Sequence, residues 1–73
     1  MKTNVHVVHR DGNWAVRKEG AQRDSSHHET QAEAIETARQ TAQREGSEMF
    51  IHGRNGQIRE RNTYGNDPFP PKG

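Results

Sequence analysis

Cysteine is missing from this 73-residue chain, which excludes a disulfide framework and any thiolate-ligated metal site. Large apolar side chains are scarce, with 26% of residues hydrophobic and 5% aromatic. No apolar run approaches the roughly 20 residues that a membrane-crossing helix needs. The opening Met1-Lys2-Thr3-Asn4 leads into alternating residues instead of a signal-peptide core. We therefore expect a cytoplasmic protein with no membrane partner. An excess of one charge is also lacking: 11 basic residues face 10 acidic ones, for a net charge of +1. A coat protein that holds nucleic acid by total charge is excluded, and any electrostatic partner must be met by local clustering.

What is present has the size of one domain. Its larger apolar side chains are Val5, Val7, Val8, Trp14, Val16, Ile35, Met49, Phe50, Ile51 and Ile58, with Tyr64 and Phe69 near the end. A domain this short buries only about 60% of the surface its unfolded chain exposes. Its stability is expected at the low end of the usual range of roughly 5–15 kcal/mol. Small scaffolds commonly add a staple or a partner subunit, and without cysteine the supplement is self-association or a bound partner.

Residues 5–10 are rich in β-branched side chains, and Trp14-Ala15-Val16-Arg17-Lys18 alternates between two faces. Between them Asp11-Gly12-Asn13 is a turn cluster in which glycine and asparagine supply positive φ, so the two runs read as a hairpin. Residues 19–29 are polar and read as a loop. Thr30-Gln31-Ala32-Glu33 is a capping box, followed by Ala34, Ile35, Ala38 and Ala42 at helical spacing and by Gly46 at the stop position. This predicts a helix over about 31–45 whose small-residue stripe packs closely on a sheet. Residues 48–52 read as a third strand, Asn55-Gly56 as a type I′ turn, and residues 57–61 as a charged edge strand.

The order strand, strand, helix, strand, strand predicts an α+β, two-layer ββαββ domain over residues 1–63: a four-stranded antiparallel sheet with one helix on one face. Residues 64–73 carry Pro68, Pro70 and Pro71 and read as an extended, Pro-rich tail.

Four segments, in order, resemble the small bacterial domain-of-unknown-function family 2188: Trp14-Ala15-Val16, Thr30-Gln31-Ala32-Glu33-Ala34, His52-Gly53-Arg54-Asn55-Gly56-Gln57-Ile58, and the closing Tyr64-Gly65-Asn66-Asp67-Pro68-Phe69-Pro70-Pro71. The resemblance runs from about Val5 onward. It brings no activity, cofactor or partner, and it implies that the tail is part of the family pattern. It also implies less polar residues where this chain has His27 and His28, which counts against a role for that pair.

Five histidines invite a metal, but His6 and His9 are three apart on a strand and point to opposite faces. His27 and His28 are neighbours in a loop, His52 lies on another strand, and no zinc spacing occurs. No metal or other cofactor is expected. Asp24, Ser25 and His27 have the residue types of a hydrolytic triad, yet neighbours in one loop do not supply its geometry. Gly53-Arg54-Asn55-Gly56 spells the GxxG of a KH loop, which joins helices and not strands. Neither an enzyme nor a small-molecule substrate is expected.

If Val5, Val7, Trp14, Val16, Met49, Ile51 and Ile58 face the helix, the opposite sheet face carries His6, Val8, Arg17, Phe50, His52, Arg59 and Arg61. Three consecutive apolar residues leave open whether Phe50 or Met49 points inward. Two functions fit such a face. The first is a non-catalytic protein-interaction or self-associating module using His6, Arg17, Phe50, His52, Arg59 and Arg61, or the tail through Tyr64, Pro68, Phe69 and Pro70. The alternative is a small nucleic-acid-binding domain, with arginines for phosphates and a ring for stacking.

Overall fold

Period-two alternation at the start of the chain sets two strands joined by the shortest hairpin turn. In the computed structural model, which describes residues 3–64, β1 (Val5–Arg10) and β2 (Asn13–Lys18) pair antiparallel, with Arg10 opposite Asn13. Asp11 and Gly12 occupy the turn at φ 50° and 84°, so the left-handed positions fall on aspartate and glycine, with Asn13 already in the strand.

The polar segment expected to be a loop holds a further strand, β3 (Ser26–His28), antiparallel to β2. Helix α1 (Gln31–Glu45) follows; the Thr30 hydroxyl accepts from the Glu33 amide at 3.2 Å. Gly46 ends the helix at φ 66°, ψ 44°, in the left-handed conformation that a Cβ disfavours. Strands β4 (Glu48–His52) and β5 (Ile58–Thr63) complete the order β3-β2-β1-β4-β5.

The sheet is therefore five-stranded and mixed, not four-stranded and antiparallel: β1 and β4 run parallel, with Val5 opposite Met49 and Val7 opposite Ile51. The extra strand is the cause. β3 reverses the chain once more before the helix, so the crossover through α1 returns β4 in the direction of β1. Parallel neighbours need such a crossover.

One face of the sheet and one stripe of the helix make the core. Val5, Val7, Trp14, Val16, Met49 and Ile51 pack against Ala34, Ala38 and Ala42, whose exposure is 0%, with Ile35 and Tyr64 at the margin. Alanine's single methyl adds little bulk between the helix and the sheet. Met49 points into this core and Phe50 away from it. Ile58, expected inside, is 56% exposed, because a register irregularity between Ile51 and His52 places it opposite outward-facing His52. Of the tail, Tyr64 packs partly on the core and its amide donates to the Ser47 carbonyl at 3.1 Å. Pro68, Phe69 and Pro70 lie outside the described residues.

Candidate functional site

Strand pairing draws four of the expected face residues into one row. Arg17 on β2 is opposite His6 on β1, His6 is opposite Phe50 on β4, and Phe50 is opposite Arg61 on β5. At ~4.8 Å per strand the row spans about 14 Å between the backbones of Arg17 and Arg61. Ala15 and Val8 are opposite one another in the next row, which places them on the same face. His52 and Ile58 are paired beyond Phe50 and Arg61.

The rings of this row are turned on each other. His6 and Phe50 stack with centroids 5.0 Å apart and planes 18° apart, while His6 and His52 are tilted at 5.2 Å and 35°. Rings lying flat side by side on a sheet cannot approach that closely, so the pair stands up from the surface and each ring covers one face of the other.

Around the rings runs a polar chain. His6 Nδ1 lies 3.0 Å from His52 Nε2, His52 Nδ1 lies 3.2 Å from the Gly56 carbonyl oxygen, and His6 Nε2 lies 3.5 Å from a Glu19 carboxylate oxygen. The site is a shallow depression of about 270 Å³ bounded by His6, Val8, Arg10, Arg17, Glu19 and His52.

The loop between β2 and β3 forms one bank of this face. Arg10 donates to both oxygens of Asp24 through Nε and Nη2, at 2.8 and 3.1 Å, and His27 approaches the same carboxylate at 3.1 Å. These hydrogen bonds, Arg10 first, hold the Asp24 carboxyl below its ordinary value and raise Arg10 in return. Arg17 donates to the Ala21 carbonyl, so part of the expected positive charge is already engaged. Of the residues Asp24, Ser25 and His27, the carboxylate of Asp24 engages His27, and the neighbouring Ser26 hydroxyl lies 2.8 Å from His28.

Arg59 departs from the expected face. Ile58 pairs with His52 and Glu60 with Ile51, which leaves Arg59 as the extra residue of a bulge, a device that re-aims a side chain. Its stem lies over Gly53, where a Cβ would stand 2.9 Å from the arginine Cδ. From there it lines an open groove of about 790 Å³ with Trp14, Gln31, Gly53, Arg54 and Asn55. Among the described residues Arg54 and Arg59 have no ion-pair partner. Sequence reading missed this groove because an Asn-Gly turn signals a hairpin and not the bulge beside it.

His6 and His52, expected on one face, are in direct contact at 3.0 Å, which face assignment alone does not show. The signal was in the order of elements, since a parallel β1–β4 pair puts the two on one face of neighbouring strands.

Comparison with known proteins places the chain in a family. The family described as "Uncharacterized protein conserved in bacteria (DUF2188)" matches residues 5–64, so the expected contribution of the tail beyond Tyr64 lies outside the match. The chain is 36% identical over 61 residues to the uncharacterized protein YdaT of Bacillus subtilis (strain 168). That alignment covers 84% of this chain and 41% of the relative, so the chain spans less than half of the relative's length. No solved structure matches the chain.

Proposed function

Starting from a chain that belongs to the DUF2188 family of proteins conserved in bacteria, we propose that it is a non-catalytic binding module that contacts protein, first of all a second copy of itself, through the outer face of its sheet. The observation that carries this reading is the Arg17–His6–Phe50–Arg61 row, half-buried rings between cations, on the face opposite α1. The centre of the row supplies ring edges and Val8 for apolar contact. Its flanks supply both signs of charge, since Glu19 and Glu48 accompany Arg17 and Arg61. A surface with both signs is able to meet a copy of itself under two-fold symmetry, which makes every contact twice. A core of few large side chains gains stability from such a partner.

Nucleic-acid binding is the second reading, favoured by the two arginines that flank the rings. Against it, His6 and Phe50 each spend one ring face on the other, which leaves less open ring for a base to stack on.

Sedimentation velocity from about 1 µM to about 1 mM, the range in which modest interfaces assemble, tests the leading reading. We expect the sedimentation coefficient to rise with concentration. Arg61→Glu and Val8→Asp are expected to abolish the rise while leaving the circular dichroism unchanged. A chain that stays monomeric across this range refutes self-association. Binding to a single strand at low salt that flattens in Arg17→Ala/Arg61→Ala moves the assignment to nucleic acid.

A further inference from the structure

The hairpin that joins β4 to β5 places an arginine that its own turn does not use. Gly53 is buried directly after β4 and, unlike the turn glycine Gly56 at φ 86°, it has no positive φ. Its backbone therefore needs no glycine, and what the missing side chain supplies is space. A Cβ there would stand 2.9 Å from Cδ and 3.2 Å from Cγ of Arg59. The bulge turns Arg59 away from the outer face, and Gly53 makes room for its stem. The guanidinium so placed meets no carboxylate. Among the described residues neither Arg59 nor Arg54, on the turn of the same hairpin, has an ion-pair partner.

We infer that the groove between this hairpin and the start of α1 is a docking site for an extended acidic segment of a partner protein. Two unneutralised guanidiniums line its hairpin side, and their planar forks match carboxylates. Glu29, Thr30 and Gln31 line the side formed by the start of α1, with Trp14 from β2. Alternate side chains of an extended chain point the same way. Acids two positions apart therefore turn together toward Arg54 and Arg59, and the residue between them turns toward Glu29, which repels a third acid there.

Both walls are held in place. The Gln31 side-chain amide donates to the His52 carbonyl at 3.3 Å and ties the helix start to β4, while the Gln57 amide donates to Asn55 Oδ1 at 3.1 Å across the turn. At about 790 Å³ the groove has the volume of a small-molecule site, but it is open, whereas such sites enclose most of their ligand. A chain that passes along it needs no enclosure. The groove shares no lining residue with the depression on the outer face, so the inference goes beyond the self-association reading and stands without it.

Titration of the ¹⁵N-labelled full chain with a blocked octapeptide of alternating glutamate and glycine tests it, with the glutamine–glycine peptide as control. We expect saturable shifts at Gly53, Arg54 and Arg59 below about 1 mM peptide, lost in about 0.5 M salt, and none with the control. Arg54→Ala and Arg59→Ala should each weaken binding up to about 5-fold, as exposed ion pairs do. Gly53→Ala should act like Arg59→Ala, because its methyl displaces the arginine stem. Glu29→Gln should tighten binding, and Arg17→Ala should leave it unchanged. Circular dichroism shows whether each variant folds; if Gly53→Ala or Arg59→Ala does not, Arg54→Ala, at an exposed turn position, decides. No shifts at about 1 mM peptide, equal binding of the control, shifts centred on Arg17 and Arg61, or a folded Arg54→Ala/Arg59→Ala chain that binds like the parent overturns the assignment. Tighter binding of inorganic phosphate or a single-stranded oligonucleotide at the same arginines also overturns it. So do shifts there that grow with protein concentration alone, which identify a second copy as the occupant.

Discussion

Replacing Asp24 with asparagine should loosen one bank of the outer face without touching the core. The carboxylate, 11% exposed, accepts from Nε and Nη2 of Arg10, itself 40% exposed, and meets the ring of His27. Asparagine keeps the shape and loses the charge, and the freed guanidinium is open enough to be rehydrated. Hydrogen bonds to charged groups contribute about 1.5–3 kcal/mol, and partial exposure of Arg10 reduces this, so a loss of about 1–2 kcal/mol is expected near pH 7. For a domain of this size that is a fall in Tm of roughly 4–16 °C. The carboxyl is held below its ordinary value, first by the hydrogen bond from Arg10. Its contribution is thus fully present above the unfolded carboxylate value and is lost as pH falls through the depressed folded one. Urea unfolding of both chains near pH 7 and at about pH 2.5 reads this directly. The gap should narrow in acid. Equal stability at neutral pH, or a gap of the same size in acid, refutes the role given to this clasp.

Ala38→Leu should cost about 1–3 kcal/mol, measured by urea denaturation, since Ala38 has no exposed surface between the helix and the sheet. Ser47→Ala should leave the melting temperature unchanged or raise it, because the hydroxyl is buried without a hydrogen-bond partner among the described residues and desolvating it costs about 1–3 kcal/mol. Differential scanning calorimetry distinguishes that from a loss.

Signals strong within ten residues were legible in the sequence. The Thr30 cap and the Gly46 stop bracket the helix, and the tight turn at Asp11-Gly12 fixes the first hairpin. Val5, Val7 and Val16 face the helix as their alternation implies, while the run Met49-Phe50-Ile51 leaves its register open in the sequence and turns Met49 and Ile51 inward in the fold. Ser26–His28 was not legible, because three polar residues carry no hydrophobic period. They are held instead by the Ser25 amide on the Val16 carbonyl and by Asp24 on Arg10 and His27. That missed strand also reversed the sense of β4. The bulge at Arg59 arises from pairing across strands, which local pattern does not encode, so Ile58 and Arg59 exchanged their expected directions. Of the expected face, His6, Arg17, Phe50, His52 and Arg61 stand together.

The position of β1 has a consequence for how the chain assembles. It lies between its sequence neighbour β2 and the far later β4, so the earliest hairpin can form at once and then waits with its inner edge bare. That edge closes only after Glu48 to His52 have been joined through the helix, and the loop this closes carries the entropy cost of a distant pairing. Assembly of the two halves of the sheet is then limited by one seam. Mutations at Val5 and Val7 should slow folding more than those in the outer strands.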